Sequence, residues 1–261
     1  MLKTLFIPLI ILSGLIFSSG LKSKEVVTLW SYYDYPPFVI SKADRKGLNY
    51  DFVEMLNLFE TDNPYQYELK IVPRKRLDSY LKEGVKGAVL WVNPVFFADI
   101  KREKYDWTPR VLEDEQAFVS RARTPFIYSG PESLMQQGFV LGGIRGHLYG
   151  GIQKEIDAGK IARKDVTTAR QNIGMLLKDR VSSFLIPLST MKYYEKEMKL
   201  SHKIYYSPNP LKTYTRHILV NHDENVVNAL SRIVNSLPKD EYWKTLLDQY
   251  GLSLPRGKTT Y

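Results

Sequence analysis

Apolar positions from Val26 to Tyr250 recur in two rhythms, every second residue and every third or fourth, and this alternation sets the expected elements. Residues 26–30 (VVTLW) predict a strand, closed by Pro36 and Pro37, which cannot supply ladder donors. Behind Gly47, Phe52, Val53, Leu56 and Phe59 fall on one helical face, with Asn49 as the expected N-cap and Asp51 in the first turn. Tyr67, Leu69 and Ile71 alternate as a strand up to Pro73. Leu77, Tyr80 and Leu81 then mark a helix stopped at Gly84, and residues 87–92 (GAVLWV) a fully buried strand. An extended strand is expected over residues 116–120, and an apolar one over 139–144. The latter leads through Arg145, Gly146 and His147 into a helix carrying Tyr149, Ile152 and Ile156. Residues 168–194 read as helix, strand (181–186) and helix, and residues 214–220 as another extended strand. Two amphipathic stripes close the pattern: Val226, Val227, Leu230, Ile233, Val234 and Leu237, then Tyr242, Trp243, Leu246, Leu247 and Tyr250, stopped at Gly251.

Two successive sets of strand–helix–strand imply an α/β chain, and the extended segments near 116–120 and 214–220 imply two crossings between its halves. The expected architecture is two mixed-sheet α/β domains joined by two hinge strands. Residues 21–118 and 219–261 would make one lobe and residues 119–218 the other.

Composition narrows the setting. The first 20 residues carry Lys3, an apolar run over 5–17 and small residues at Ser18 and Gly20. That run is shorter than the ~20 residues a membrane span needs, so it is expected to be a signal peptide cleaved near Gly20. The chain has no cysteine, which excludes disulfides, thiolate metal ligands and a lipid-bearing cysteine. A formal charge of +9 could suggest nucleic acid, but the basic residues are spread over helix surfaces without a dense block and no nucleic-acid partner is expected. His147, His202, His217 and His222 show no metal spacing and no nucleophile elbow, so no cofactor, metal or catalytic constellation is expected.

The opening YPPFV, a polar loop ending in glycine and the helix NYDFVEML resemble the start of the periplasmic solute-binding proteins of the polar amino acid class, family 3. The resemblance extends through Trp107-Thr108-Pro109, the Arg180-Val181 strand opening, Tyr193-Tyr194 and the closing Tyr250-Gly251. It implies the type II periplasmic binding protein fold, whose lobes close over a small solute and pass it to an inner-membrane ABC permease or a sensor. Many members of that family are lipid-anchored; with no cysteine to carry a lipid, this chain is expected to be a freely soluble, monomeric periplasmic protein.

The resemblance places a ligand site at the strand ends. Tyr35, Phe38 and Trp91 would offer flat faces and Asn93 a neutral amide, with Arg74 at the cleft edge. The family's carboxylate-gripping arginine falls on Lys101 or Arg102, and its anion-binding turn on Arg145, Gly146 and His147. The family's ammonium-binding aspartate falls on Pro187, and a further acidic position on Gly87. The cationic half of a zwitterion site is therefore expected without its acidic half. This points to a small anionic or aromatic solute, with an uncharged-amine or peptide-like compound behind it, rather than a free α-amino acid, unless Asp34 or Glu54 replaces the lost acid. The alternatives are a ligand sensor or a periplasmic dehydratase on the same fold, acting on prephenate-like substrates; the latter would need a carboxylic acid in the cleft. If the leader is cleaved as expected, N-terminal sequencing of protein recovered from the periplasm will begin near Leu21; an intact Met1 would refute cleavage.

Overall fold

The computed structural model describes residues 24–59 and 64–254, so the expected signal segment and the extreme C-terminus lie outside the described residues. The first strand, β1 (Glu25–Ser31), pairs in parallel with β2 (Tyr65–Ile71) and β3 (Ala88–Val92). Helices α1 (Leu48–Leu58) and α2 (Arg74–Lys82) form the connections. Asn49 is not the cap of α1: Gly47 occupies that position at φ 132°, and a Cβ there would come within 2.5 Å of the Phe38 carbonyl oxygen. Asn49 is instead fully buried. It donates to Ser31 Oγ (3.2 Å) and accepts from Trp91 Nε1 (2.6 Å), tying helix to sheet.

A short strand, β4 (Asp106–Trp107), precedes the long β5 (Leu112–Arg121). Beyond it come β6 (Leu141–Ile144), α3 (Gln153–Asp157), β7 (Arg163–Val166), α4 (Ala169–Leu177), β8 (Ser183–Pro187), α5 (Leu188–Glu197) and β9 (Ile204–Tyr206). The chain returns along β10 (Lys212–Val220) and ends in α6 (Glu224–Ser236) and α7 (Glu241–Gln249). The sheet order is β2-β1-β3-β10-β5-β8-β6-β7, with β4 beside β10 and β9 beside β5.

Strand β10 changes partners part-way along. Lys212 to Arg216 pair antiparallel with β5, whereas His217 to Val220 pair with β3, with an irregularity between His217 and Leu219. The apolar clusters divide at the same place. One gathers buried residues from Val27 to Leu112 and from Ile218 to Tyr250; two smaller ones draw on Phe118 to Ile204. The first is completed by the C-terminal helices, since Trp243 of α7 stacks parallel to Trp91 of β3 at 6.5 Å and packs on Phe52 at 5.4 Å.

The two lobes meet around one buried ion pair. Arg216 of β10 donates through Nε (2.9 Å) and Nη2 (2.6 Å) to Asp114 Oδ2 of β5, and both side chains are about 1% exposed. Arg216 Nη1 reaches the Trp91 carbonyl oxygen at 3.0 Å, and its guanidinium lies about 5 Å from the rings of Tyr33, Phe38 and Tyr214. Burial disfavours the guanidinium charge, but Tyr214 and Asp114 outweigh it and raise the arginine pKa further. The Asp114 carboxylate also accepts from Ser189 N (3.1 Å) and Ser189 Oγ (2.7 Å) in the first turn of α5, where the helix dipole favours an anion.

Removing one partner would leave the other charge buried and unpaired. Asp114→Ala is therefore expected to lower stability by about 3–5 kcal/mol in urea titrations, whereas replacing both partners by apolar residues should recover much of the loss. A single-mutant loss well under 1 kcal/mol would contradict this assignment.

Candidate functional site

A cavity of about 570 Å³ opens between the loop that follows β1 and the strand and helix ends of the other lobe. Asp34, Tyr35, Pro36, Val39, Ile40 and Lys42 line the first side. The β1 strand has ended at Ser31, and the prolines at 36 and 37 keep the following loop from resuming a ladder. The facing wall comes from Gln116 on β5, Ile144 ending β6, His147 and Tyr149 beyond it, and the start of α4. Residues 184–187 of β8 and Thr190 and Tyr194 of α5 complete that wall.

The wall is largely aromatic and aliphatic. Phe184, Leu185, Ile186, Tyr149 and Tyr194 are buried, and Tyr35 stays 37% exposed on the opposite side. Tyr149 stacks on the His147 ring at 5.2 Å, with the Arg163 guanidinium 4.9 Å from its centroid. Partial desolvation lowers the His147 pKa, and Arg163 and Lys212 add to the shift. Thr168 caps α4 in a reciprocal arrangement: its Oγ1 accepts from Gln171 N, and Gln171 Oε1 accepts from Thr168 N. The Thr167 hydroxyl donates to the same Gln171 oxygen at 2.8 Å.

Asp34 and Lys42 are the ionised pair on this cavity, and they bind each other at 2.5 Å at its solvent-exposed edge. Glu54, the other acid considered, lies away from it on the outer face of α1 beside Asn57 and Tyr67. Among the described residues no cluster of His, Cys, Asp and Glu could hold a metal, and no helix is long and apolar enough to cross a membrane.

The residues expected at the ligand separate into two groups. Tyr35, His147 and Pro187 border the cavity. Phe38 and Trp91 are fully buried in the first-lobe core. A left-handed backbone at Trp91 (φ 65°) accompanies the irregular β3–β10 pairing, and its indole is held by Asn49 and packed on Phe52 and Trp243. Asn93 caps the short 3₁₀ turn Pro94–Phe97 by accepting from Val95 N, and donates to the Thr215 carbonyl oxygen. Arg74 lies outside the cavity. It pairs with Asp78 at 2.7 Å, donates to the Phe96 carbonyl oxygen and rests 4.2 Å from the centre of the Phe97 ring.

Lys101 and Arg102 are drawn away by the loop they belong to. Buried Asp99 accepts from Trp107 Nε1 (2.8 Å) and from the amides of Glu103, Lys104 and Tyr105 (2.9–3.1 Å). Burial would raise its pKa, but these hydrogen bonds win and hold the carboxylate below its ordinary range. Winding the chain around this anion leaves Lys101 in solvent and places Arg102 Nη2 3.4 Å from His217 Nε2.

Arg145 and Gly146 are also exposed, and the helix expected directly behind them is reduced to the five residues of α3. The amides of Arg145 and His147 already donate to Val166 and Ile144 carbonyl oxygens, so this turn is no helix N-terminus. Gly87, considered as a lost acidic position, stands at the opposite end of β3 from the cavity mouth. At φ 151°, a Cβ there would lie 2.6 Å from the Trp30 ring.

Sequence reasoning did not single out Gln116, Asn172 or Thr190 as site residues, nor the Asp114–Arg216 pair. The available signals were small: an asparagine on the buried stripe of α4, and charges of opposite sign within the two crossing strands.

Comparison with solved structures gives this geometry its context. The L-cystine solute receptor of Neisseria gonorrhoeae, in its unliganded open conformation, superimposes with a TM-score of 0.62 at 18% identity, over 88% of this chain and 93% of that one. The fold is that of the two-lobed solute-binding proteins. An ancestral cationic amino acid solute-binding protein superimposes with a TM-score of 0.66 at 12% identity, over 86% of this chain and 95% of its own. The periplasmic domain of BvgS from B. pertussis gives 0.66 at 15% identity over 87% of this chain, which spans only 43% of that domain. No protein-family model matches the sequence, and no curated protein matches it.

His217 carries a measurable consequence of burial. Its Nδ1 donates to the Thr108 carbonyl oxygen (2.9 Å), leaving Nε2 to accept from Thr215 Oγ1 (2.7 Å). Burial, with repulsion from Arg102 beside it, pushes the imidazole from the ordinary 6.5 down to about 4, although the Thr108 bond opposes the shift. As pH falls the unfolded chain binds this proton first, so the neutral ring's contribution is intact above 6.5 and is lost on the way to 4. That contribution is roughly 3 kcal/mol. His217→Gln should flatten urea-measured stability across this window, and an unchanged slope would show that His217 does not govern it.

Proposed function

We propose that this protein is a periplasmic solute-binding protein that encloses a small aromatic solute between its lobes and presents it to a membrane permease or a sensor. The observation that carries this reading is the cavity itself. It lies between two lobes joined by paired crossing strands and is lined on both sides by rings and aliphatic groups, a composition suited to planar apolar faces. Of the two solute types expected from the sequence, the aromatic one gains support. The anionic one loses it, because Lys101, Arg102 and Arg74 stand outside the cavity and Lys42 is occupied by Asp34.

Binding is favoured over catalysis by the acid inventory. A dehydratase needs a protonated carboxyl group beside its leaving hydroxyl. Among the described residues Asp34 is the only carboxylate on the cavity wall, and it is half-exposed and ion-paired. The neighbours' cystine, arginine and cationic amino acid ligands do not transfer to this chain, because position 187 is a proline and the cavity offers no free acid for an ammonium group.

Small-angle scattering should show a smaller radius of gyration when an aromatic solute saturates the protein, because closure brings the Tyr35 loop toward α4 and α5. Tyr35→Ala should weaken that binding roughly tenfold by removing the exposed ring. Tight binding with no compaction would remove the clamp mechanism.

A further inference from the structure

Several polar groups on the cavity wall are engaged or sealed. Asp34 and Lys42 bind each other, and the Thr167 and Thr168 hydroxyls are engaged with Gln171. Asn172 Oδ1 and Thr190 Oγ1 lack partners, but protein encloses them and they offer a solute no surface. Gln116 on β5 and Tyr194 on α5 differ from all of these. Each borders the cavity and is 7% exposed, and neither side chain has a hydrogen-bond partner among the described residues. Their polar atoms are not among the enclosed ones, so they keep accessible surface. Burial raises the Tyr194 pKa, so its hydroxyl stays protonated and adds no charge to the wall.

Position explains why the Gln116 amide is bare. Alternate residues of a strand share a face, so Gln116 stands on the same side of β5 as Asp114, at the junction of the lobes. Directly opposite it in β8 is Pro187, whose ring carries no polar group. Its other ladder neighbour, Lys212 of β10, does not border the cavity, and the lysine ammonium lies 5.9 Å from the centre of the Phe96 ring. The amide therefore meets the cavity with an acceptor, Oε1, beside a donor, Nε2, both free.

A carboxylate would set an oxygen against Oε1, and an ammonium would leave Nε2 without an acceptor. A neutral edge with donor and acceptor side by side satisfies both, as when glutamine reads the adjacent donor and acceptor of adenine. We infer that Gln116 is a specificity-determining residue that pairs with a flat, uncharged ring bearing an N–H next to a C=O, the edge of an aromatic lactam. The assignment rests on the cavity being the solute site. At about 570 Å³ the cavity has room for two fused rings, whose faces would lie against the aromatic and aliphatic wall.

Isothermal titration calorimetry at pH 7 with 2-quinolone, N-methyl-2-quinolone and quinoline-2-carboxylate tests this. The first presents the full edge, the second has lost its donor, and the third replaces the edge by an anion. 2-Quinolone is expected to bind at least about tenfold more tightly than either of the others, because each of them leaves a buried polar atom of Gln116 unpaired. Gln116→Leu should weaken 2-quinolone binding about tenfold and change N-methyl-2-quinolone binding by less than about twofold, so that the preference collapses. Its melting temperature should not fall, because no group in the protein loses a partner. Gln116→Met, apolar and unbranched, gives the same reading should the leucine variant not fold. Equal or tighter binding of N-methyl-2-quinolone or of the carboxylate would overturn the inference while leaving a solute-binding protein. A preference that survives the substitutions, or failure of both variants to fold, would make Gln116 a structural residue and overturn its role. Binding of none of the probes would overturn the lactam class, and compaction by another solute in scattering would then still uphold the clamp.

Discussion

The buried pairing of Arg216 with Asp114 is the constraint on which the arrangement of the two lobes depends. Each residue sits within a crossing strand, at the point where β10 stops following β5 and starts following β3. One end of this network reaches the Trp91 carbonyl oxygen in the first lobe; the other reaches the first turn of α5 in the second. A buried ion pair offers little net stability against an apolar substitute, so its value here is geometric. It joins the two crossing strands at the place where β10 changes partners.

The same economy governs the loop around Asp99. A carboxylate buried under four donors organises residues 99–107, and the cations within that loop are directed outward or toward His217 as a result. The buried charges at Asp99, Asp114 and Arg216 hold the frame. The cavity is left with rings, aliphatic groups and a few neutral polar atoms, which inverts the balance expected of a site for zwitterions.

Most of the fold was legible in the sequence because it follows from periodicity and punctuation. The apolar runs ending at Pro36, Gly84 and Gly251 gave elements close to those observed, whereas the first crossing strand begins at Leu112, ahead of the expected 116–120, and so takes in Asp114. The site was less legible. Trp91 ends a buried strand, a position from which a ring can face either way, and a left-handed backbone with a bond to Asn49 turned it inward. The helix expected after His147 failed for a local reason: Gly150 and Gly151 interrupt it, and the helix begins only at Gln153, whose side chain accepts from Tyr149 N. Gln116 resembles an ordinary strand residue in sequence. Only its burial without a partner sets it apart, and burial depends on contacts from distant parts of the chain.

The parallel indoles of Trp91 and Trp243 have a consequence for how the molecule is made. Strand β3 finds its second neighbour only in β10, and its ring finds its stacking partner only in α7, more than half the chain later. During synthesis the first lobe must wait, with an unfinished sheet edge, until the second has been completed and the chain has returned. Such dependence on late contacts raises the sequence separation over which the first lobe must close, and so slows its folding.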